Sequence, residues 1–531
     1  MNLPAPALKK SFQFSGLGLV TLSLVVGCSP PDTAAQDAAV LVDGSRPDAA
    51  RGDVGPGVDA RPADARPADA QCTDARLADA AADAAGLDAH APPDGALPDA
   101  GSVADAGHMD AARDADPPDG ALDAAPPDPV AFGGFSAAEV AFLQTLTGPV
   151  PLPPDPTNRF ADDPAAARLG QALFYTDDFS PVGRDCAFCH PPNRAFSGEL
   201  SYDGHGGLRF RHAPSLLNVA FQPWLFWDGH ADTLWAQVPG PLEDHDEMAS
   251  DRLSVVRIIS EDAELRPAWE AIFGPLPDVS DSQRFPPAAK PTAHPAEAVL
   301  NNAWQSIAAP DQAAINQVLA HFSKAVAAYT RRLQSFDSPF DRYVAALLAQ
   351  DNAGLVALSP AAQRGLVLFV GEAGCVACHN GPTFSDGNFH NVGLEAVAGR
   401  PEDLGRFQGV ARVLADPFNA AGAFSDDPGG PQAQRLAALV AEDDLRGRFK
   451  TPTLRNVART GTWMHDGRFR TLLDVVRYKT TLPGQAALGA RDPLLEPVPL
   501  DEPQLLDLVA FLESLTGQPT DPALIGRPAL P

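Results

Sequence analysis

The chain contains Cys186-Ala-Phe-Cys189-His190 and, farther along, a second copy of the same pattern, Cys375-Val-Ala-Cys378-His379. In a Cys-x-x-Cys-His segment the two thiols form thioethers with the vinyl groups of a c-type haem, and the histidine binds the iron as proximal ligand. A structural zinc site and a thioredoxin-like redox pair are the competing interpretations. Both are weaker, because a histidine directly follows the second cysteine in each copy. The sequence therefore predicts two covalent c-type haems.

The separation of the two motifs indicates one haem per domain, since it is too great for a compact multihaem protein. Each motif follows a helical pattern that opens with a capping residue and a proline, at Asp163-Pro164 and at Ser359-Pro360. A further helix is predicted over Glu502 to Thr516, where leucines recur at helical spacing. Strand-like alternation is scarce. The predicted fold class is mainly α, with two cytochrome c-like domains after a disordered N-terminal tether.

That tether is residues 29–132, whose composition does not favour folding. Between residues 29 and 130 there are 21 Asp and 6 Arg, and no Phe, Trp, Tyr or Ile. Such a segment cannot bury enough apolar surface to offset the entropy of ordering. We therefore predict a disordered, solvated linker that carries about half of the net charge of −29. Its single cysteine, Cys72, is interpreted as incidental.

Residues 1–28 resemble a bacterial lipoprotein signal peptide. Lys9 and Lys10 precede an uncharged apolar stretch that ends in Val-Val-Gly-Cys28, where the cysteine is the predicted lipidation site. An ordinary secretory signal or a short uncleaved anchor is the alternative. Lipid chains on Cys28 would anchor the protein without a spanning helix. The prediction is an exported protein, lipid-anchored to a bacterial membrane and facing the periplasm or the cell surface.

The charge balance also bears on partners. Asp plus Glu number 68, against 39 Lys plus Arg. This excess argues against nucleic acid as the main partner, because phosphate binding needs a basic face. Residues 131–531 hold the other half of the charge, a net −16. A basic redox protein would suit such a surface through electrostatic steering.

Residues 135–520 resemble the bacterial di-haem cytochrome c peroxidases and the related methylamine-utilisation type di-haem enzymes. Both haem motifs and several connecting segments carry the resemblance. These segments are Ala213-Pro-Ser-Leu-Leu-Asn218, Phe226-Trp-Asp-Gly229, Glu247-Met248, Ser338-Pro-Phe-Asp-Arg-Tyr343, Phe449-Lys-Thr-Pro-Thr-Leu-Arg-Asn456 and Met464-His-Asp-Gly467. Their order and spacing around two haem motifs make the match specific.

The resemblance implies a division of labour between two domains. Residues 133–350 would form the N-terminal peroxidatic haem domain, with His190 as its proximal ligand. Residues 351–520 would form the C-terminal electron-transfer domain, with His379 as its proximal ligand, followed by a tail at 521–531. The cofactors implied are two c-type haems.

Three further residues receive roles from the resemblance. Glu247 would be the distal group that moves a proton between the two peroxide oxygens, although any lone glutamate is otherwise a surface residue. Trp227 would relay electrons between the haems, although buried tryptophans are usually core residues. His205 resembles the loop histidine that blocks the peroxidatic iron as a sixth ligand in the resting enzyme. A histidine between glycines is otherwise a solvated loop residue.

The sequence departs from the family at several positions. His230 replaces the arginine that usually follows Phe-Trp-Asp-Gly, so a titratable group stands where the family has a fixed cation. His212 replaces an asparagine that commonly helps to bind an interdomain calcium ion, so the calcium ion that the resemblance also implies is in doubt. The matching second segment, with Thr460 and the carbonyl of Thr462, is present.

The sixth ligand of the second haem is a further departure. Family members use a methionine or a tyrosine on the helix after His-Asp-Gly. Counted from His465, that position falls on Lys479, with Tyr478 one residue earlier. One residue is about 100° around a helix, so both cannot face one iron. Tyr478 is the expected ligand because an oxygen donor has family precedent, and Met464 is a remoter alternative.

The function implied by the resemblance is reduction of hydrogen peroxide to water with electrons from a small periplasmic protein, a cytochrome c or a copper protein. The alternative within enzymes is a methylamine-utilisation type oxidase that acts on a protein or organic substrate. The absence of methionine from Leu472 to Leu482 leaves that alternative open. A non-enzymatic di-haem electron carrier is the third hypothesis.

Overall fold

The computed structural model describes residues 132–198 and 211–531. Residues 1–131 and 199–210 lie outside the described residues. The predicted signal peptide, Cys28, nearly all of the linker and His205 therefore also lie outside them. No helix in the described ranges is long and apolar enough to cross a membrane.

The described chain is mainly helical, which confirms the predicted fold class at that level. Its α-helices before residue 350 are α1 (Ala137–Thr145), α2 (Pro164–Phe174), α3 (Cys186–Cys189), α4 (Leu234–Gln237), α5 (Pro239–Glu243), α6 (Arg252–Glu261), α7 (Leu265–Phe273), α8 (Ala298–Ser306), α9 (Ala309–Thr330) and α10 (Pro339–Ala349). Those that follow are α11 (Pro360–Val370), α12 (Arg406–Ala415), α13 (Pro431–Ala437), α14 (Leu472–Thr481) and α15 (Glu502–Glu513). Two short strands, β1 (Phe389–His390) and β2 (Phe449–Lys450), pair antiparallel, with Phe389 opposite Lys450.

The helices surround two large hydrophobic cores. The first is built mainly from α2, α4, α6, α7 and α9, and its largest buried side chains include Trp235 and Trp269. The second is built mainly from α1, α10, α11, α14 and α15, and it includes Phe340, Phe369 and Phe511. Cys186 packs against the first core and Cys375 against the second, so each core lies beside one of the two Cys-x-x-Cys-His motifs.

Neither core is built from one continuous stretch of the chain. Helices α1 and α10 precede residue 350, yet they pack in the second core. In the other direction, Phe418 belongs to the first core, and Leu524 and Leu530 pack against it from the C-terminal end of the chain. The boundaries at residues 350 and 520 stay predictions. Packing nevertheless joins segments that lie on both sides of them.

One crossing between two helices organises each core. In the first core, α2 contacts α9 at Gly170, and in the second, α11 contacts α15 at Gly365. A Cβ on Gly170 would collide with the carbonyl oxygen of Ala325, and one on Gly365 with the carbonyl oxygen of Asp507. Both glycines thus allow close backbone approach. The two helix pairs are built alike.

Replacing Gly365 with alanine is expected to lower the free energy of unfolding by about 1–3 kcal/mol, because the new methyl group overpacks the α11–α15 crossing. Urea denaturation of the purified protein, followed by circular dichroism, measures this. Gly429→Ala is the control, since a Cβ at Gly429 meets no atom within 4 Å. Equal stability of the two variants would contradict the close approach.

Candidate haem sites and the segment between them

The first Cys-x-x-Cys-His motif is held by a short capped helix. Asp185 accepts a hydrogen bond from the backbone N–H of Phe188 at 2.8 Å and so caps α3, which carries Cys186 and Cys189. Neither thiol forms a disulfide with a described residue, both are half-buried, and burial raises the pKa of Cys186 to about 12. His190 follows directly at the end of the helix. The two sulfurs and the imidazole therefore come from one compact turn.

The orientation of His190 is what an iron ligand needs. Its Nδ1 donates to the carbonyl of Phe196 at 2.9 Å, which leaves the lone pair on Nε2 for a metal. Burial lowers the pKa of His190, which favours the neutral imidazole that binds metals. Phe196 is buried and has a left-handed backbone, with φ of 54°. These contacts fit a c-type haem.

The second motif is built in the same way. Cys375 begins a 3-10 turn that Cys378 directly follows, and neither thiol forms a disulfide with a described residue. His379 Nδ1 donates to the carbonyl of Phe384 at 3.0 Å, and Phe384 has a left-handed backbone with φ of 51°. Burial lowers the pKa of His379 to about 4. The repetition of one arrangement at two motifs supports two haems of one type.

A second repeated segment follows each motif, with identical internal spacing. The two copies are His212-Ala-Pro-Ser-Leu-Leu-Asn218 with Phe226-Trp-Asp-Gly229, and Lys450-Thr-Pro-Thr-Leu-Arg-Asn456 with Met464-His-Asp-Gly467. The asparagine is left-handed in both, with φ of 61°. A threonine then caps the next helix, Thr233 for α4 and Thr471 for α14. The duplication was not predicted from the sequence, although the shared spacing was the available signal.

The two copies bind each other reciprocally. The backbone N–H of His212 donates to the carbonyl of His465 at 3.1 Å. In exchange, the N–H of Lys450 donates to the carbonyl of Trp227 at 2.8 Å. His212 and Lys450 occupy equivalent positions, and so do Trp227 and His465. The two backbone hydrogen bonds of this contact are therefore related by symmetry, whereas the side chains at the equivalent positions differ.

Trp227 lies buried in this contact and is bonded to both copies. Its indole Nε1 donates to the carbonyl of His212 at 2.9 Å, and the two rings meet edge to face at 5.1 Å. Its own carbonyl accepts from Lys450 of the other copy. The predicted relay residue therefore has a fixed position in the segment that joins the two halves.

A buried ionic cluster supports this segment. Asp228 is fully buried and pairs with Arg211, whose Nη1 lies 2.8 Å from Oδ2. Burial alone would raise the pKa of Asp228, but His230 and Arg211 outweigh burial and hold it well below its usual range. Arg211 also forms two hydrogen bonds to Asp403, at 2.8 and 2.6 Å. Sequence reasoning missed Arg211, since nothing local to it indicates these partners.

His230 stands where the family usually has an arginine, but it does not act as the cation beside Asp228. Its Nδ1 donates to Asp228 at 2.5 Å and its ring stacks on Phe226 at 3.7 Å. Burial lowers the pKa of His230. The fixed cation beside Asp228 is therefore Arg211, while His230 serves as a half-buried hydrogen-bond donor.

Glu247 lies in the turn between α5 and α6, next to the first haem motif. Arg184, just before that motif, donates through Nη1 to the carbonyl of Glu247 at 3.0 Å. The next residue, Met248, is buried in the first core, and its carbonyl accepts from Ser180 at 2.7 Å. Two bonds thus tie the Glu247 turn to the segment that leads into Cys186.

Comparison with known proteins decides the family. A family model described as "Di-haem cytochrome c peroxidase" matches residues 164–347. The cytochrome-c peroxidase IdrP1 of Denitromonas iodatirespirans is 31% identical over 391 residues, which cover 72% of this chain and 89% of the relative. The chain belongs to the di-haem cytochrome c peroxidase family. The resemblance drawn from the sequence is confirmed.

Other relatives are named as methylamine-utilisation proteins. The methylamine utilization protein MauG of Methylorubrum extorquens is 30% identical over 371 residues, which cover 69% of this chain and 82% of the relative. A solved structure of the diheme peroxidase BthA from Burkholderia thailandensis is 24% identical, covers 71% of this chain and 93% of that one, and has a TM-score of 0.49. The chain is an oxidoreductase of the peroxidase type, and its family implies two c-type haems.

Tyr478 and Lys479 are adjacent in α14 but lie in different surroundings. The Tyr478 hydroxyl donates to the carbonyl of Val392 at 3.2 Å, and its ring packs against Phe469. Lys479 instead acts electrostatically on Cys375 and His379 of the second haem motif. The structure brings Lys479, rather than Tyr478, to the thiols of the motif.

The region of the family's calcium ion contains two buried polar atoms without a hydrogen-bond partner among the described residues, His212 Nε2 and Thr462 Oγ1. The carbonyl of Thr460 accepts from Ser197 at 3.2 Å. Calcium prefers oxygen ligands, and His212 offers nitrogen. The doubt about a calcium ion at this place stays a prediction.

Proposed function

We propose that this protein is a di-haem cytochrome c peroxidase that reduces hydrogen peroxide to water with electrons from a small periplasmic redox protein. The observation that carries the proposal is the position of Trp227. It is buried and hydrogen-bonded to both copies of the repeated segment, and each copy follows one haem motif. A path between two redox centres is what a two-electron reduction fed by a one-electron donor requires.

In this proposal Cys186, Cys189 and His190 hold the first haem, and an equivalent set holds the second. That set is Cys375, Cys378 and His379. When bound, the haems supply the electron-transfer chemistry, with peroxide reacting at the first and electrons entering at the second. The chain's own contribution begins with Nδ1 of each histidine, whose bond to a phenylalanine carbonyl fixes the imidazole and increases its donor strength.

Glu247 is proposed to move the proton. Cleavage of the O–O bond requires loss of a proton from one peroxide oxygen and gain of a proton at the other, which leaves as water. A carboxylate can do both in turn. The Arg184 bond to the Glu247 carbonyl holds this turn beside the first haem motif. His205 is proposed as the sixth ligand of the first haem iron in the resting enzyme. In the sequence it lies six residues before Arg211.

The proposed donor is a basic cytochrome c or copper protein, attracted by the net −16 of residues 131–531. The proposed location is a bacterial membrane, to which lipid on Cys28 would anchor the protein so that it faces the periplasm or the cell surface. Steering of this kind weakens with salt. The rate of oxidation of a basic donor should therefore fall as ionic strength rises.

Oxidation of a protein or organic substrate is a second candidate function. It is favoured by one observation: α14 contains no methionine, the ligand that raises haem potential and suits an acceptor of electrons from a cytochrome. Such an enzyme would react with peroxide without prior reduction of a haem.

One experiment separates these functions. Purified protein with two haems is mixed with hydrogen peroxide, first in the oxidised state and then after reduction by one electron. Turnover with a reduced donor only after that reduction supports the peroxidase. Peroxide-driven oxidation by the fully oxidised protein would favour the oxidase. No high-spin haem and no spectral response to peroxide would contradict both and indicate an electron carrier.

Replacing Trp227 with phenylalanine is expected to lower turnover about tenfold or more, equal to ~1.4 kcal/mol or more of activation free energy, because phenylalanine is harder to oxidise than indole. Steady-state turnover with peroxide and a reduced donor measures this. Trp224→Phe is the matched control, since Trp224 is equally buried but packs against Arg406 and Arg435 instead. Unchanged turnover in Trp227→Phe would remove it as a relay.

A further inference from the structure

One face of α14 points into the second core, and a lysine shares that face. Leu472 and Val476 are both buried in the core, against which Cys375 and Val376 also pack. Lys479 follows Val476 by three residues and Leu472 by seven, which places it on the same side of the helix. A cationic side chain thus stands where an apolar residue is expected.

Lys479 lies close to the second haem motif. It acts electrostatically on the thiols of Cys375 and Cys378 and on the imidazole of His379. The side chains that would hold the second haem are therefore neighbours of this lysine.

The other lysines of the described ranges all have partners. Lys290 Nζ lies 2.7 Å from Glu297, Lys324 Nζ 2.6 Å from Asp426, and Lys450 Nζ donates to Gln222 at 2.9 Å. Lys479 makes no hydrogen bond or ion pair with any described residue. A half-buried amine beside two cysteines and a histidine, with no protein partner, indicates a partner that binds at this motif.

Tyr478 is engaged elsewhere. Its hydroxyl donates to the carbonyl of Val392, and its ring packs against Phe469. It is one residue, about 100°, away from Lys479 around the helix. A rotation that brought Tyr478 to the haem motif would move Val476 out of the core.

We propose that the amine nitrogen of Lys479 is the sixth ligand of the second haem, with His379 as the fifth. The neutral amine donates its lone pair to the iron, so no other reactant is needed. The proposal rests on haem attachment at Cys375 and Cys378 and does not depend on the identity of the electron donor. An iron with two nitrogen ligands is closed to peroxide, which confines that reaction to the first haem.

The test is electron paramagnetic resonance of the oxidised, two-haem protein and of three variants. Lys479→Arg keeps a long basic side chain, but its guanidinium stays protonated and has no lone pair for iron, so we expect loss of the low-spin signal of the second haem. Lys479→Met should replace that signal with a new low-spin signal and raise the reduction potential of this haem, since methionine raises haem potential. Tyr478→Phe should leave the spectrum unchanged.

An unchanged signal in Lys479→Arg would overturn the proposal, whether or not Tyr478→Phe alters it. Haem content, measured for each variant by the pyridine haemochrome spectrum, identifies any variant that has lost its cofactor. If Lys479→Arg does not assemble, Lys479→Met answers alone, because its spectrum must differ from that of the native protein. Peroxide and donor are absent from the experiment, so failure of the peroxidase function would not affect it.

Discussion

Glu247→Gln is expected to lower turnover with hydrogen peroxide by about 10²- to 10⁴-fold, the usual contribution of a positioned acid–base group. Glutamine has nearly the same shape but can neither accept nor release the proton that O–O cleavage transfers. The backbone of the Glu247 turn should be retained, because Arg184 bonds to its carbonyl and Met248 stays buried in the core. Haem content and the resting spectrum should therefore be unchanged.

Stopped-flow mixing of the reduced enzyme with peroxide measures the step in which Glu247 acts. Glu261→Gln is the matched control, because Glu261 is exposed at the end of α6 and should not alter the rate. Full activity in Glu247→Gln would end the assignment of this residue. Equal losses in both variants would indicate a general effect of charge removal and would likewise contradict it.

Arg455→Leu is expected to lower the free energy of unfolding by about 3–5 kcal/mol, because it leaves Asp341 as a buried charge without its partner. Arg455 is fully buried. Its Nη2 donates to Asp341 and to the carbonyl of Leu146, both at 2.9 Å, and its Nε donates to the carbonyl of Pro382 at 2.9 Å. One guanidinium thus connects α1, α10 and the loop after the second haem motif.

Denaturation by urea measures this loss. Arg477→Leu is the control, since Arg477 and its partner Glu502 are both about half exposed and such pairs contribute ~0–1 kcal/mol. The double variant Arg455→Leu, Asp341→Leu leaves no charge unpaired, but it also removes the capping box that Asp341 forms with Ser338 at the start of α10. Its loss of stability should therefore be smaller than the sum of the losses in the two single variants. A loss equal to that sum would show that the unpaired charge of Asp341 is not the cause.

The same pair gives a pH dependence with a defined sign. Burial alone would raise the pKa of Asp341, but Arg455 outweighs burial and holds it below its ordinary value. A carboxylate with a depressed folded pKa stabilises the fold above its unfolded value of about 4, and this stability is lost as pH falls through the folded pKa. Acid unfolding of the native protein should therefore begin at higher pH than that of the double variant.

The features that the sequence predicted well are those with local causes. Asp163-Pro164 and Ser359-Pro360 cap α2 and α11 as expected, because a cap is set by adjacent residues. The predicted helix over Glu502 to Thr516 is observed over Glu502–Glu513, with its end one turn earlier. The haem motifs are likewise local, since five consecutive residues supply both sulfurs and the imidazole.

The features that the sequence did not predict depend on distant partners. Arg211 meets Asp403, which is 192 residues away, so its role cannot be read from its neighbours. The surroundings of Tyr478 and Lys479 were uncertain for a related reason. Helical periodicity places them about 100° apart but does not say which side meets the second motif. That depends on how α14 packs on the second core.

The reciprocal backbone bonds between the two repeated segments have an evolutionary consequence. Position 212 bonds to position 465, and the equivalent position 450 bonds to position 227, the equivalent of 465. Two identical subunits related by a twofold axis make paired contacts of this kind. Two copies of an ancestral single-haem protein would form them as a homodimer. Fusion into one chain removes the requirement that both sides keep the same sequence. The two copies can then carry different residues at equivalent positions, tryptophan at position 227 and histidine at position 465, a difference that a dimer of identical subunits cannot have.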